Sequence, residues 1–110
     1  MNKYRTHNCG ELRIDDLDKE ISISGWINKK RDHGNLLFID LRDNYGITQC
    51  IIDKENKNFL ELEKTQLETV IKINGKVVRR SDETINKDIE TGEIEVVINE
   101  IEILGTCKEL

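Results

Sequence analysis

Three successive β-strands are predicted by residues 20–53, which read EISISGWINKKRDHGNLLFIDLRDNYGITQCIID. In the first strand, residues 20–30, apolar and polar side chains alternate, as they do when one face of a strand is buried. The second strand, 36–42, and the third, 47–53, each follow a short stretch rich in Gly, Asn and Asp, which favours turns. This part of the chain therefore predicts a sheet whose strands are joined by tight connections.

Two helices are predicted beside these strands. Residues 5–17 hold helix-compatible side chains, with Thr6 or Asn8 as a candidate N-cap and Glu11 in capping-box register three residues after Asn8. This pattern predicts a short leading helix. In residues 54–68, three apolar side chains recur at roughly helical spacing among Glu and Lys: Phe59, Leu62 and Leu67. This segment predicts one amphipathic helix.

Two further strands are predicted at residues 70–80 and 92–104, with a polar loop between them. In the last strand the apolar phase changes near residues 99–100, as a β-bulge would produce. Three strands, a helix and two strands is an order typical of the OB-fold, a five-stranded Greek-key barrel with a helix between strands 3 and 4. The sequence therefore predicts one all-β domain that occupies residues 1–110.

The composition favours a small globular domain without a metal or catalytic site. The formal net charge is −5, which argues against a nonspecific nucleic-acid binder but permits a local basic patch. The cysteines (Cys9, Cys50 and Cys107) are far apart, and neither His7 nor His33 stands at ligand spacing from them, so we expect no metal ligands. Unpaired thiols suggest a reducing, cytoplasmic setting. Neither a signal peptide nor a membrane span is predicted, and nucleotide-binding, zinc-protease and nucleophile-elbow motifs are absent, which disfavours catalysis.

Phe38 is the most informative single residue. The alternation of the second strand places it on the polar face, beside Asp40 and Arg42. An aromatic ring left on that face costs free energy unless something covers it. One interpretation is a platform for a nucleobase, whose stacking contributes about 1–3 kcal/mol; the other is cover by a loop or a neighbouring domain. Trp26 shares the outward phase of the first strand, but a bulge could turn it inward, and packing is the favoured interpretation for it.

Polar residues suited to RNA lie near Phe38 in the predicted sheet. Residues 29–31, Arg42 and residues 79–80 are basic, and barrel closure could bring them into one strip that contacts phosphates. The alternative for each is an ordinary solvated side chain. Gln49 offers a donor and an acceptor, as a uracil edge requires, and Glu95 faces outward with a carboxylate that can accept from guanine N1 and N2.

Residues 25–43, followed by Gly46, Ile47 and Gln49, resemble the G-W-V-x-x-R-R-D-x-G-x-x-x-F-I-D-L-R-D-x-x-G-x-x-Q segment of bacterial aspartyl-tRNA synthetases. Residues 5–12 (R-T-H-x-C-G-E-L) and 85–96 (I-N-x-D, then T-G-E-I-E-V) are similar to the same family. The resemblance implies an N-terminal OB-fold anticodon-binding domain that precedes a class II catalytic domain, which makes this chain a fragment without a cofactor of its own. The parent enzyme would be a homodimer that uses ATP and Mg²⁺ to activate aspartate and charge tRNA-Asp.

The same resemblance implies roles for individual residues. Phe38 would stack on the central uracil of the GUC anticodon, Gln49 would hydrogen-bond the edge of that uracil, and Glu95 would read the wobble guanine. Three more residues match family positions near the anticodon loop: Arg31, Arg80 and Asn86. Lys30 stands where arginine is more common, so its contact is expected to be looser. Histidine at the loop position of His33 accompanies enzymes that also charge tRNA-Asn, which predicts relaxed discrimination.

Other interpretations of the chain remain open. The related domain of an asparaginyl or lysyl synthetase is the nearest, but the unbroken register of residues 31–43 and the T-G-E-I-E stretch at 91–95 favour the aspartyl family. An OB domain that binds a protein would have Phe38 covered by its partner. A small enzyme is disfavoured because the motifs for catalysis are missing.

Overall fold

The computed structural model describes residues 5–106, which form a closed five-stranded barrel in the order β1-β2-β3-β5-β4. The strands are β1 (Glu20–Asp32), β2 (Leu36–Asp43), β3 (Gly46–Asp53), β4 (Thr69–Arg79) and β5 (Ile94–Thr106), and helix α1 (Phe59–Lys64) lies between β3 and β4. Neighbouring strands are antiparallel except β3 and β5, which are parallel. The predicted all-β OB-fold is therefore confirmed, with strand boundaries that differ from the prediction by one or two residues.

Aliphatic side chains fill the inside of the barrel. The inward positions of the strands carry fully buried residues, namely Ile23, Ile27, Leu37, Ile39, Leu41, Ile52, Ile71, Ile73, Val77, Ile94 and Val96. Phe59 and Leu62 of α1 complete the same core. Each such side chain contributes about 1.5–3 kcal/mol when it leaves water, so this alternation holds the outward side chains on a rigid support.

The predicted leading helix at residues 5–17 is wrong, because only a single 3-10 turn forms there, at Ile14–Asp16. The capping contacts exist without a helix. Glu11 Oε1 accepts from the Asn8 backbone N–H at 2.7 Å, and Asn8 Oδ1 accepts from the Gly10 N–H at 2.9 Å. Side-chain bonds of this kind offer the backbone an alternative to helical bonds, and here they stabilise a turn.

The predicted helix at residues 54–68 is real but shorter, since α1 spans only six residues. The segment before it folds into turns. Asn56 Oδ1 accepts from the Asn58 N–H at 2.8 Å, and Asn56 Nδ2 donates to the carbonyls of Ile98 and Asn99, both at 3.1 Å. These hydrogen bonds fix the start of the segment against β5, and the helix therefore begins only at Phe59. Leu67 lies beyond the helix and is exposed.

The register shifts at three places, one along β1–β2 and two along β4–β5, where Leu104 and Asn99 are omitted. The predicted bulge in β5 is confirmed, because the register with β4 passes from Glu100 to Ile98 and omits Asn99. A second bulge, which the sequence did not predict, lies in β1, where Asn28 is the extra residue between Ile27 and Lys29. It begins after Trp26, so Trp26 keeps its outward phase and is only partly buried.

The β1 bulge decides which of two adjacent basic residues faces outward. After it, Lys30 pairs with Ile39 and Arg31 pairs with Phe38. Directly opposed residues of an antiparallel pair share a face of the sheet. Lys30 is therefore on the inward phase, whereas Arg31 joins Phe38 on the outward phase.

Candidate nucleic-acid interface

The outward side of β1, β2, β3 and β5 forms one surface, which we call the outer face. Its members are Arg31, Phe38, Asp40, Gln49, Ile51, Glu95 and Val97. The structure places Phe38 outward, as the alternation predicted: Leu37 and Ile39 are buried, whereas Phe38 is only partly buried. Phe38 lies opposite Ile51, which lies opposite Val97. An aromatic ring therefore stands in an apolar row at the surface.

His33 lies at one edge of the Phe38 ring. The two ring centroids are 4.9 Å apart and the ring planes meet at 68°. This edge-to-face arrangement is one that aromatic pairs prefer. His33 is itself exposed in the β1–β2 connection, so the fold brings this loop residue to the outer face.

A chain of hydrogen bonds crosses the outer face beside Phe38. Arg31 donates from Nη1 to Asp40 Oδ2 at 3.2 Å and from Nη2 to Asp40 Oδ1 at 3.0 Å. The same Nη2 donates to Gln49 Oε1 at 3.1 Å, and Gln49 Nε2 donates to Glu95 Oε1 at 2.8 Å. Side chains from β2, β1, β3 and β5 are thus joined in one network, which we call the polar chain.

Arg80 is a buried cation near the carboxylates of the polar chain. Its residue is only 4% exposed, and its guanidinium donates from Nε to the Ile94 carbonyl and from Nη1 to the Thr84 carbonyl, both at 2.9 Å. Burial lowers the pKa of the Arg80 guanidinium, while the charges of Glu95 and Asp40 oppose that shift. Two arginines and two carboxylates therefore lie close together, and their formal charges cancel.

Lys30 does not reach the outer face. Its Nζ donates to the backbone carbonyls of Leu62 at 3.3 Å, Glu63 at 2.8 Å and Thr65 at 2.5 Å, at the C-terminal end of α1. Burial lowers the pKa of the Lys30 ammonium, and the nearby Glu63 charge opposes that shift. A cation here satisfies carbonyls that the helix leaves unpaired. We call this arrangement the helix contact.

Arg42 and Asn86 lie apart from the polar chain. Arg42 is exposed near the end of β2 and lines a cavity of about 340 Å³ between the β2–β3 turn and the β4–β5 loop. Asn86 belongs to that loop, where its N–H donates to the Gly92 carbonyl at 3.0 Å. The Thr91 hydroxyl donates to the carbonyl of Ile47 and so anchors the loop to β3. These two candidates flank the outer face without joining its network.

The basic residues at 29–31, 42 and 79–80 are brought together only in part: Lys29 and Arg42 are exposed on the outward phase, whereas Arg80 is buried. Lys30 turns to α1, Arg79 pairs with Asp82 at 3.1 Å, and Arg31 is held by Asp40. What the structure brings together instead is a balanced set of donors and acceptors around Phe38. Sequence reasoning missed Asp40 as a member of the site, although it stands two residues from Phe38 on the same phase of β2, which is the signal that could have identified it.

The described residues offer little else for chemistry. Within residues 5–106, no group of three or more His, Cys, Asp or Glu side chains is placed to hold a metal ion. Over the same residues, no helix has the length and apolar character that crossing a membrane requires. Cys9 and Cys50 are buried free thiols, and burial is the main cause that raises the pKa of each. Cys107 lies outside the described residues.

Comparison with known proteins identifies the family of this domain. The tRNA anticodon family, described as an OB-fold nucleic acid binding domain, matches residues 21–104. Aspartate–tRNA(Asp/Asn) ligase of Pelagibacter ubique is 76% identical over all 110 residues, which make up 18% of that protein. The corresponding ligase of Rhodopseudomonas palustris strain BisB18 is 51% identical over the same 110 residues, 19% of its length. The chain thus spans about a fifth of the length of the curated relatives it matches.

Solved structures with lower identity share the fold. An aspartyl-tRNA synthetase from Leishmania major matches with a TM-score of 0.78 and 19% identity over 100% of this chain and 22% of that one. An OBody bound to hen egg-white lysozyme matches with a TM-score of 0.77 and 21% identity over 96% of this chain and 94% of that one. The second match shows that a barrel of this size can make up nearly an entire chain. From its sequence and its fold, this chain belongs to the tRNA anticodon family of OB-fold nucleic-acid-binding domains.

Proposed function

We propose that residues 1–110 are the N-terminal domain with which a cytoplasmic aspartate–tRNA ligase recognises the GUC anticodon of tRNA-Asp. The domain binds RNA and catalyses nothing by itself. The regions of the relatives that this chain does not cover would supply the class II catalytic domain, the ATP and Mg²⁺ sites and most of a homodimer interface. The identity to aspartate–tRNA(Asp/Asn) ligases supports this assignment.

The observation that carries the proposal is the placement of the Phe38 ring beside the polar chain. The central uracil would stack on Phe38, with a contribution of about 1–3 kcal/mol. Gln49 lies opposite Asp40, two pairs further along the β2–β3 ladder than Phe38 and Ile51 and on the same face. Two residues of a strand span about 6.8 Å, so a pyrimidine stacked on Phe38 would have its edge near the Gln49 amide.

The remaining candidates take supporting roles in the proposal. Glu95 offers its second carboxylate oxygen to the wobble guanine, Arg31 holds the Gln49 amide, and buried Arg80 adds a positive charge near Glu95 and Asp40. Arg42 and Asn86 flank the outer face, where they would contact the backbone or the third base of the anticodon. The ammonium of Lys30 stabilises the end of α1 and is not expected to contact the RNA.

His33 extends the proposal to a second tRNA. Its ring packs on the edge of Phe38, so it lies where the RNA would pass from the stacked base to the next nucleotide. The relatives from Pelagibacter ubique and Rhodopseudomonas palustris are both named as Asp/Asn ligases. We therefore expect this domain to accept the anticodon of tRNA-Asn, which differs from GUC at its third base.

A titration with anticodon stem-loops tests the proposal. The GUC stem-loop should bind, a GUU stem-loop should bind comparably, and a GAC stem-loop should bind far less because the Gln49 edge contact is lost. Replacement of Phe38 by Ala should weaken GUC binding by about 1–3 kcal/mol, roughly 5- to 150-fold. Leu60→Ala is the matched control, since Leu60 is an exposed apolar residue on α1.

The alternatives predict different results. Equal affinity for the GUC and GAC stem-loops would reduce the interaction to backbone electrostatics and contradict anticodon recognition. Strict rejection of GUU would contradict the role of His33 alone. If Phe38→Ala changed no RNA affinity in a variant whose circular dichroism shows a native fold, Phe38 would serve another purpose, such as contact with a protein.

A further inference from the structure

The amide of Gln49 is held between two groups of opposite hydrogen-bonding character. On one side is the guanidinium of Arg31, which has only donors, 3.1 Å from Gln49 Oε1. On the other side is the carboxylate of Glu95, which when ionised has only acceptors, 2.8 Å from Gln49 Nε2. Gln49 itself is only 6% exposed, so water does not compensate for a lost partner.

This arrangement fixes the orientation of the amide. A flip that exchanged Oε1 and Nε2 would turn the NH₂ group toward the guanidinium and the oxygen toward the carboxylate. Donor would then face donor and acceptor would face acceptor, with both hydrogen bonds lost in a nearly dry site. On an exposed surface a glutamine amide can adopt either orientation, whereas here only one orientation of the Gln49 amide keeps both hydrogen bonds.

The Arg31 end of this clamp depends on Asp40. Arg31 makes a two-bond fork with the Asp40 carboxylate, at 3.2 and 3.0 Å, and the Asp40 side chain is 18% exposed. The fork fixes both the position and the plane of the guanidinium. Arg31 itself is 41% exposed, so without Asp40 its long side chain would be free to leave Gln49.

Uracil and cytosine require opposite amide orientations. Along the same edge, uracil presents the N3–H donor and the O4 acceptor, whereas cytosine presents the N3 acceptor and the N4 donor. An amide with a fixed direction matches one of these bases and opposes the other. The clamp uses one lone pair of Gln49 Oε1 and one N–H of Nε2, which leaves one of each for the base.

We propose that Asp40 is a positioning residue which, through Arg31, fixes the Gln49 amide so that the domain accepts uracil and rejects cytosine at the base stacked on Phe38. This inference rests on the proposed anticodon recognition and assigns its pyrimidine selectivity to a residue that does not touch the RNA. Asp40 acts on the choice between two bases of the same size, which stacking on Phe38 does not distinguish.

The test compares GUC and GCC stem-loops with wild-type protein, with Asp40→Asn and with Asp15→Asn. Asparagine keeps the shape of Asp40 but replaces one acceptor of the fork with a donor. The wild type should prefer GUC by about tenfold or more, because an opposed edge leaves buried polar groups unpaired. Asp40→Asn should lower this preference several-fold. The control, Asp15→Asn, removes the same charge from an exposed carboxylate in the 3-10 turn at Ile14–Asp16, and it should keep the preference for GUC.

Nuclear magnetic resonance of the free domain provides a readout that a mere loss of stability would not change. In the wild type the two Gln49 Nε2 protons should differ strongly in chemical shift, because one of them is hydrogen-bonded to Glu95 Oε1. In Asp40→Asn this difference should shrink, and Asp40→Glu, which restores a carboxylate, should recover part of it together with part of the base preference. A Gln49 signal unaffected by Asp40→Asn would overturn the clamp even if that variant bound RNA poorly.

The outcomes separate this inference from the proposed function. A wild type that distinguishes GUC from GAC but binds GUC and GCC equally would overturn the inference and leave anticodon recognition standing. An unchanged preference in Asp40→Asn would do the same. A wild type that binds none of the stem-loops would contradict the proposed function, and the base selectivity assigned to Asp40 would fall with it.

Discussion

Arg31 of the outer face and Lys30 of the helix contact are neighbours in β1, yet their positive charges have different partners. Lys30 donates to three backbone carbonyls at the end of α1. Arg31 donates to the side chains of Asp40 and Gln49. A cation held by backbone acceptors contributes to the fold, and its partners cannot move away. A cation held by side chains keeps partners that can rearrange when a ligand arrives. Adjacent residues of a strand face opposite sides, and the bulge before them decides that Arg31, and not Lys30, faces outward.

The largest expected difference between the two regions is in stability. Leu62 of α1 is fully buried, so Leu62→Ala should lower the free energy of unfolding by about 2–5 kcal/mol. Phe38 is only partly buried, and Phe38→Ala should cost about 1 kcal/mol or less. Urea denaturation of both variants measures the contrast. Similar losses would mean that Phe38 belongs to the core and that the outer face is not a free surface.

Replacement of Lys30 and of Arg31 by Met should differ in RNA affinity, although both variants should lose stability. Lys30→Met leaves carbonyls of α1 unpaired and should destabilise the domain by about 1–2 kcal/mol, with the RNA affinity of the folded protein kept. Arg31→Met removes the partner of buried Gln49 Oε1 and should destabilise the domain by about 1–3 kcal/mol, but it should also lower affinity for the GUC stem-loop. Denaturation and stem-loop titration should be run on each variant. Loss of affinity without loss of stability in Lys30→Met would place its ammonium at the RNA after all.

The smallest effect concerns salt. Because Arg31 is already paired with Asp40, and the charges of Glu95 and Asp40 lie near buried Arg80, few counterions should be released when RNA binds. Each phosphate contact to a single strand contributes about −0.7 to the slope of log affinity against log salt, so we expect a slope shallower than about −2. Titrations across a salt series give this slope. A much steeper dependence would mean that backbone contacts, and not the polar chain, dominate binding.

The outward side chains of β2 and β5 could be predicted from sequence because apolar residues mark the phase of both strands. The bulge in β5 was predictable for the same reason: apolar residues stand on each side of Asn99, and their phase changes across it. In β1 the apolar residues end at Ile27, directly before the bulge at Asn28. No apolar side chain follows the bulge to mark the new phase, so the pattern could not show which of Lys30 and Arg31 faces outward.

The polar chain could be predicted only in part. Its residues were identified one by one, but the contact between Gln49 and Glu95 joins positions 46 residues apart through the parallel β3–β5 pair, which only barrel closure creates. The burial of Arg80 follows from the same closure. The leading helix is absent and α1 is shorter than predicted for a different reason: hydrogen bonds from Asn8 and Asn56 to nearby backbone groups compete with helix formation, and the periodicity of apolar residues does not reveal them.

The extra residue in β1 makes the length of this strand as informative as its composition. Loss of the single codon for Asn28 would remove the bulge but leave Lys30 opposite Ile39 and Arg31 opposite Phe38, so both residues would keep their faces. Gain of one codon between Asn28 and Lys29 would instead move Lys30 to the outward phase and Arg31 to the inward phase, and would disturb the helix contact and the RNA contact together. Selection on this part of the gene should therefore tolerate loss of the Asn28 codon better than gain of a codon beside it.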